Sequence, residues 1–146
     1  MINKDFFKKI RILDGGMGQE LLARGMKPNS TLWSANAILD ANYHQLVLDT
    51  HVDFIKAGAE VIVTTTFATR QKRLKDNILL DKFEYLNQKA GEIAQAAKQN
   101  FPNTYIAGGI PPQNLTYEAD NRDEIEIIEN FHSCLLYTSP SPRDPM

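Results

Sequence analysis

The run from Ala59 to Phe67 constrains the fold more than any other part of the sequence, because it is apolar and β-branched almost throughout. Val61, Ile62 and Val63 lead into consecutive threonines, without the polar alternation that one solvated face would require. A strand of this kind is usually covered on both faces, as strands are in a parallel sheet. Parallel strands need long crossover connections, which are usually helical, so we expect an α/β fold.

Strand and helix patterns alternate on both sides of this run. We predict a first strand over Lys9–Leu13, ending in Asp14-Gly15-Gly16, and a third strand over Thr104–Ala107, ending in Gly108-Gly109. The predicted helices are 19–24, stopped by Gly25; one that begins at Asn42 with Gln45 as a capping-box partner and ends at Gly58; one from residue 79 or 80 to 100; and 123–131. The buried side of the helix that ends at residue 100 is predicted to carry Phe83, Leu86, Ala90, Ile93, Ala94 and Ala97.

This order of strands and helices fits two architectures, a (β/α)8 barrel or a doubly wound sheet. Both place their ligand sites at the carboxyl ends of the strands. A doubly wound dinucleotide domain would carry an acidic residue at the end of the second strand, where this sequence has Thr64-Thr65-Thr66. The lack of an acidic residue at that position counts against the nucleotide-binding alternative.

Composition and charge exclude several classes of protein. The 146 residues have a formal net charge of −2 and one cysteine, so neither an intrachain disulfide nor an electrostatic case for nucleic acid exists. No apolar run approaches the roughly 20 residues that span a bilayer, and the start of the chain lacks a secretory signal pattern. We therefore expect a cytoplasmic protein with neither a membrane nor a nucleic-acid partner.

Candidate binding groups stand at the predicted strand ends. The Asp14 carboxylate can hold an ammonium group, the Gly15 and Gly16 amides can cradle an anion, and the Thr66 hydroxyl can bond a carboxylate. A purely structural role is an even alternative for Asp14 and the more common one for threonines at a strand end.

Other polar residues favour structural readings. His51 lies on the apolar face of its predicted helix with Val47, Phe54 and Ile55, which is typical of a packed histidine. The basic cluster at 70–75 is typical of a solvated face. The histidines at 44, 51 and 132 lack metal-ligand spacing.

The chain resembles the homocysteine S-methyltransferase family. The segments that carry the resemblance, in the order of the family, are ILDGGMGQEL at 12–21, LWSANA at 32–37, HVDFIKAGAEVIVTTTF at 51–67 and AGGIPP at 107–112. Two departures are Gln19, where the family often has threonine, and Gly109-Ile110-Pro111-Pro112, where many members have a serine and a Gly-Pro pair. They suggest a divergent subgroup.

The resemblance implies a (β/α)8 barrel of about 300 residues, of which this chain carries the first three or so βα units. In such enzymes zinc, held by cysteine thiolates from late strands, binds and deprotonates the homocysteine thiol. The thiolate takes a methyl group from S-methylmethionine, S-adenosylmethionine or betaine, and methionine is the product. By this analogy Asp14, Gly15, Gly16 and Thr66 bind the amino-acid end of homocysteine.

The last segment, Cys134–Met146, breaks the pattern with several prolines and serines and no periodicity. It resembles the translation of a transposase-based sequencing adapter. We expect residues 1–133 to be the N-terminal part of the barrel domain and residues 134–146 to be a disordered, non-native tail.

The expected consequence is an incomplete enzyme. We expect no catalytic residue and no metal ligand within this chain, and a part-barrel that is inactive by itself and prone to aggregate. Alternatives are a barrel that binds a small molecule without catalysis, or a methyltransferase acting on another thiol or amine.

Overall fold

A small parallel sheet lies at the centre of the computed structural model, which describes residues 4–112 and residue 125. Strand β1 (Val61–Val63) pairs in parallel with strand β2 (Tyr105–Ala107), and Ile62 lies opposite Ile106. Both strands are shorter than predicted. The parallel pairing and the α/β class expected from the β-branched run are confirmed.

The predicted first strand at 9–13 is wrong as a strand, although its direction is right. Leu13 forms only an isolated parallel bridge to Val61. The Ile12 carbonyl accepts both the Glu60 and the Val61 amides, at 2.9 and 3.2 Å, which interrupts the even spacing of a parallel ladder. Ile12 and Leu13 are also more than half exposed. The segment therefore lies beside β1 without extending the sheet.

Helices make up most of the described chain. They are α1 (Met17–Ala23), α2 (Ala35–Leu39), α3 (His44–Lys56), α4 (Gln71–Asp76) and α5 (Phe83–Lys98), with short 3-10 helices at Lys4–Lys8, Ala41–Tyr43 and Leu80–Lys82. Helices α4 and α5 lie in the crossover between β1 and β2, as a parallel pair requires.

The core forms where α3 and α5 pack together and against the sheet. The predicted face of α3 is confirmed at Val47, His51 and Ile55, which are buried, whereas Phe54 is only partly buried. On α5 the predicted apolar row from Phe83 to Ala97 is buried. Ile55 and Ile62 share one apolar cluster with the end of α5. This packing fixes the position of β1, whose carboxyl end carries the candidate site.

The predicted N-cap at Asn42 is wrong. The Asp40 carboxylate accepts the Asn42 amide at 3.0 Å, so Asp40 caps the 3-10 helix that precedes α3. Gln45 does not reach back to a cap, because its side-chain amide donates to Asp49 at 2.8 Å. Asp40 lies two residues before Asn42, and its carboxylate occupies the capping position.

Gly58 ends α3 in the left-handed region, at φ +114°, where a side chain is strained. We expect Gly58→Ala to lower the free energy of unfolding by about 1–2 kcal/mol. The matched control is Gly91→Ala within α5, where a Cβ would meet nothing within 4 Å. There the same exchange should stabilise by about 0.5–1 kcal/mol. Denaturant unfolding measures both, and equal effects would contradict this assignment of the helix end.

Two predictions lie outside the described residues: the tail at 134–146 and most of the helix at 123–131, of which Ile125 is helical. Within the described part, no helix combines the length and the apolar character needed to cross a membrane.

Candidate functional site

Asp14 lies directly against the carboxyl end of β1. Its amide donates to the Val61 carbonyl at 3.0 Å, and its Oδ2 accepts the Val63 amide at 2.8 Å. The side chain is only 5% exposed. Asp14 is therefore fixed by the strand end, and Val63 occupies one of its two carboxylate oxygens.

Burial gives the Asp14 carboxylate an unusual environment. Loss of solvent raises its pKa above the ordinary value, and the hydrogen bond from Val63 opposes that rise. A cationic group placed beside the carboxylate would offset the cost of burying its charge. The role of Asp14 in binding an ammonium group stays a prediction.

His51 lies beneath Asp14 in the core. Its Nδ1 is 4.0 Å from Asp14 Oδ2, and its Nε2 is 3.4 Å from the Thr65 hydroxyl. Burial lowers the pKa of His51 to about 4, so the imidazole is neutral at pH 7 and does not form an ion pair with Asp14. The predicted packed histidine is confirmed.

Gly15 and Gly16 follow Asp14 in the chain and place their backbone beside it. A Cβ at Gly15 would come within 2.8 Å of the Phe54 ring, so this position favours glycine. Gly16 precedes α1, and its carbonyl accepts the Gln19 and Glu20 amides, each at 3.1 Å. Both glycines line the same cavity as Asp14.

We call this space the strand-end cavity; its volume is about 510 Å³. Asp14 and the two glycines form one part of its wall, together with Thr64 and Thr65. Its apolar wall includes Met17, Trp33 and Phe67. A cavity of this size that combines apolar walls with a few polar groups is typical of a small-molecule site.

Thr66 is oriented differently from the prediction. It is 1% exposed and is absent from the cavity wall. Its hydroxyl donates to the Gly109 carbonyl at 3.2 Å, and the Gly109 amide donates to the Thr64 hydroxyl at 3.2 Å. The two threonines therefore connect the loop after β2 to the end of β1. A ligand contact by the Thr66 hydroxyl stays a prediction.

We expect Thr66→Val to destabilise the fold by about 1–2 kcal/mol, because the Gly109 carbonyl loses a buried donor. Homocysteine affinity should stay within about twofold of wild type. Chemical denaturation and ligand titration on one preparation separate these effects. A large loss of affinity at unchanged stability would restore Thr66 as a ligand.

The basic cluster corrects the prediction of a solvated face. Arg70 is 5% exposed, and both Arg70 and Arg73 line the strand-end cavity. Lys72 and Lys75 are exposed, as predicted. Sequence reasoning missed the two arginines, although their position just after the strand end was a usable signal.

Trp33 was also missed as a cavity residue. Its backbone is in the left-handed region at φ +52°, and its ring is 55% exposed. Such strain in a non-glycine residue costs about 1–3 kcal/mol and tends to cluster at functional sites. The only sequence signal was its place within the segment that resembles the family.

No group of three or more histidine, cysteine, aspartate or glutamate side chains is arranged for a metal ion within residues 4–112. These residues do not fit the zinc centre that the resemblance implies.

The family model for homocysteine S-methyltransferase matches residues 11–137. The chain belongs to the homocysteine S-methyltransferase family. The match continues a few residues beyond Ser133, and the domain boundary there stays a prediction.

Individual relatives agree with the family model. Homocysteine S-methyltransferase 2 of Zea mays is 34% identical over 104 residues, which cover 70% of this chain and 30% of that protein. Homocysteine S-methyltransferase of Escherichia coli is 28% identical over 137 residues, 84% of this chain and 44% of that protein. The chain therefore spans less than half the length of these relatives.

The fold has a counterpart among solved structures. The metallated form of the E. coli homocysteine methyltransferase MmuM matches with a TM-score of 0.72 at 24% identity, over 93% of this chain and 54% of that chain. This likeness concerns the fold, and it agrees with the expected part of a (β/α)8 barrel.

Proposed function

We propose that the strand-end cavity binds the amino-acid end of homocysteine, in a protein that transfers a methyl group to the homocysteine thiol. The observation that carries the proposal is the buried Asp14 carboxylate, held by Val63 at the edge of a small-molecule cavity. Family membership supports the reaction, and the likeness in fold supports the position of the site.

Each part of the amino acid has a complement here. The ammonium group pairs with Asp14, where opposite charge is favoured by the low local dielectric. The carboxylate lies against the backbone of Gly15 and Gly16, which line the cavity beside Asp14. These contacts fix the direction of the side chain, so that its sulfur meets a methyl donor in one orientation.

The transfer itself is a displacement at carbon. The thiol loses its proton, its sulfur forms a bond to the methyl carbon, and the bond from that carbon to the donor breaks. The electron pair of the broken bond stays on the donor, which loses its positive charge. We propose S-methylmethionine, S-adenosylmethionine or betaine as donors and methionine as product.

The described residues supply binding and orientation only. Within residues 4–112 they provide no group of side chains arranged for a zinc ion. We propose that the chain forms the first βα units of a (β/α)8 barrel and that these units alone do not transfer methyl groups.

A methyl-transfer assay tests the proposed reaction. A family-length protein that carries residues 1–133 should convert homocysteine and S-[methyl-¹³C]methylmethionine into labelled methionine, detected by mass spectrometry. The 146-residue chain assayed in parallel should give none. Saturable homocysteine binding by the longer protein, without product from any of the three donors, would favour the non-catalytic barrel instead.

A further inference from the structure

Arg70 has an environment that the homocysteine contacts do not use. It lines the strand-end cavity and is 5% exposed. Its Nη1 donates to the Pro112 carbonyl at 3.1 Å, and its Nε is buried without a hydrogen-bond acceptor. A buried donor without a partner costs free energy, and the described residues supply no acceptor for this Nε.

Arg73 adds a second positive charge to the same wall. Its Nη1 donates to the Thr31 carbonyl at 3.1 Å, which fixes the side chain without neutralising it. Neither arginine forms an ion pair with an acidic side chain in the described part of the chain. Asp76, the acidic group whose charge acts on both, pairs with Lys72 at 3.2 Å.

Two guanidinium groups on one cavity wall, without a carboxylate between them, favour an anionic ligand. Burial and the charge of Arg73 both lower the pKa of Arg70, which reflects the free-energy cost of placing the two charges together. A planar guanidinium matches a carboxylate with two parallel hydrogen bonds. A ligand carboxylate bound to these guanidinium groups would therefore offset the repulsion between their charges.

We propose that Arg70 and Arg73 form a carboxylate-binding subsite of the strand-end cavity, which holds the carboxylate of the methyl donor. This inference rests on the proposed function and names a group that it leaves unassigned. The homocysteine carboxylate already has the Gly15 and Gly16 backbone. The three donors considered above differ at their methylated centre, but each carries a carboxylate.

The experiment is a binding titration on the 146-residue chain. The ligands are S-methyl-L-methionine, its carboxamide, L-homocysteine and propionate. Arg70→Met removes the guanidinium, and Lys75→Met is the matched control, because Lys75 is exposed and does not line the cavity. Calorimetry or amide chemical shifts give each dissociation constant.

We expect Arg70→Met to raise the dissociation constant of S-methylmethionine at least about tenfold. Lys75→Met should leave it within about twofold, and the carboxamide should bind wild type as weakly as S-methylmethionine binds Arg70→Met. Equal affinity of wild type and Arg70→Met for S-methylmethionine would overturn the proposal. If homocysteine loses the affinity instead, the carboxylate subsite stands and its assignment to the donor is overturned.

If Arg70→Met does not fold, the Arg70 guanidinium can be observed directly in the wild-type chain. The ¹⁵N resonance of Arg70 Nε in wild type should shift with S-methylmethionine and not with the carboxamide. If neither amino acid binds wild type, the proposed function fails. Propionate then decides the subsite: an Arg70-dependent shift supports it, and no shift overturns it as well.

Discussion

Asparagine in place of Asp14 should weaken homocysteine binding about tenfold to a hundredfold while the fold stays intact. The variant keeps an oxygen to accept the Val63 amide, so the strand end remains capped. What it loses is the charge that pairs with the ligand ammonium, a hydrogen bond of about 1.5–3 kcal/mol. Removing a desolvated carboxylate also means that stability should not fall.

Asp81→Asn is the matched control, because that carboxylate is exposed and pairs only with Lys82 in the 3-10 helix. The pH dependence is a second signature. Burial raises the pKa of Asp14, so homocysteine affinity should begin to fall, as pH is lowered, before an ordinary aspartate would titrate. Asp14→Asn should abolish this fall. Wild-type affinity in Asp14→Asn would remove Asp14 from the site.

Acid should destabilise the protein through His51. Burial lowers the pKa of His51 from 6.5 to about 4. Between these pH values the unfolded chain therefore binds a proton that the folded chain does not bind. The resulting stability is fully present above pH 6.5 and is lost as pH falls toward 4. The loss is about 3 kcal/mol at 1.36 kcal/mol per pKa unit.

Urea unfolding at several pH values measures this loss, and His51→Gln isolates it. Asp14, which faces His51, acts in the opposite sense because its pKa is raised, so only the difference between wild type and variant is diagnostic. We expect that difference to shrink by about 3 kcal/mol between pH 7 and pH 4. An unchanged difference would mean that folding does not lower the pKa of His51.

The sequence was most informative where one physical constraint decides the structure. The β-branched run around Ile62 implied a strand covered on both faces, and the apolar rows of α3 and α5 implied the buried faces that are observed. Gly58 ended its helix as predicted because few other residues accept its positive φ. These features depend on local periodicity and backbone freedom, which a sequence displays directly.

The sequence was least informative where the outcome depends on competing partners in space. Thr66 was a reasonable ligand by position, but its hydroxyl bonds Gly109, which is 43 residues away in sequence. Arg70 and Lys72 look alike in a basic cluster, and only the fold separates the buried cavity residue from the exposed one. The predicted first strand at 9–13 is wrong for a similar reason, because the Ile12 carbonyl accepts the amides of both Glu60 and Val61.

We propose above that the strand-end cavity binds an amino acid through Asp14 and the backbone after it. This is tested by a titration of the ¹⁵N-labelled 146-residue chain with L-homocysteine, with 1-propanethiol as a control that has a thiol but neither charged group. We expect saturable shifts at the amides of Gly15, Gly16 and Thr64 with homocysteine and not with 1-propanethiol, and we expect Asp14→Asn to need about tenfold to a hundredfold more homocysteine for the same shifts. Shifts elsewhere, or equal shifts with both thiols, would contradict it.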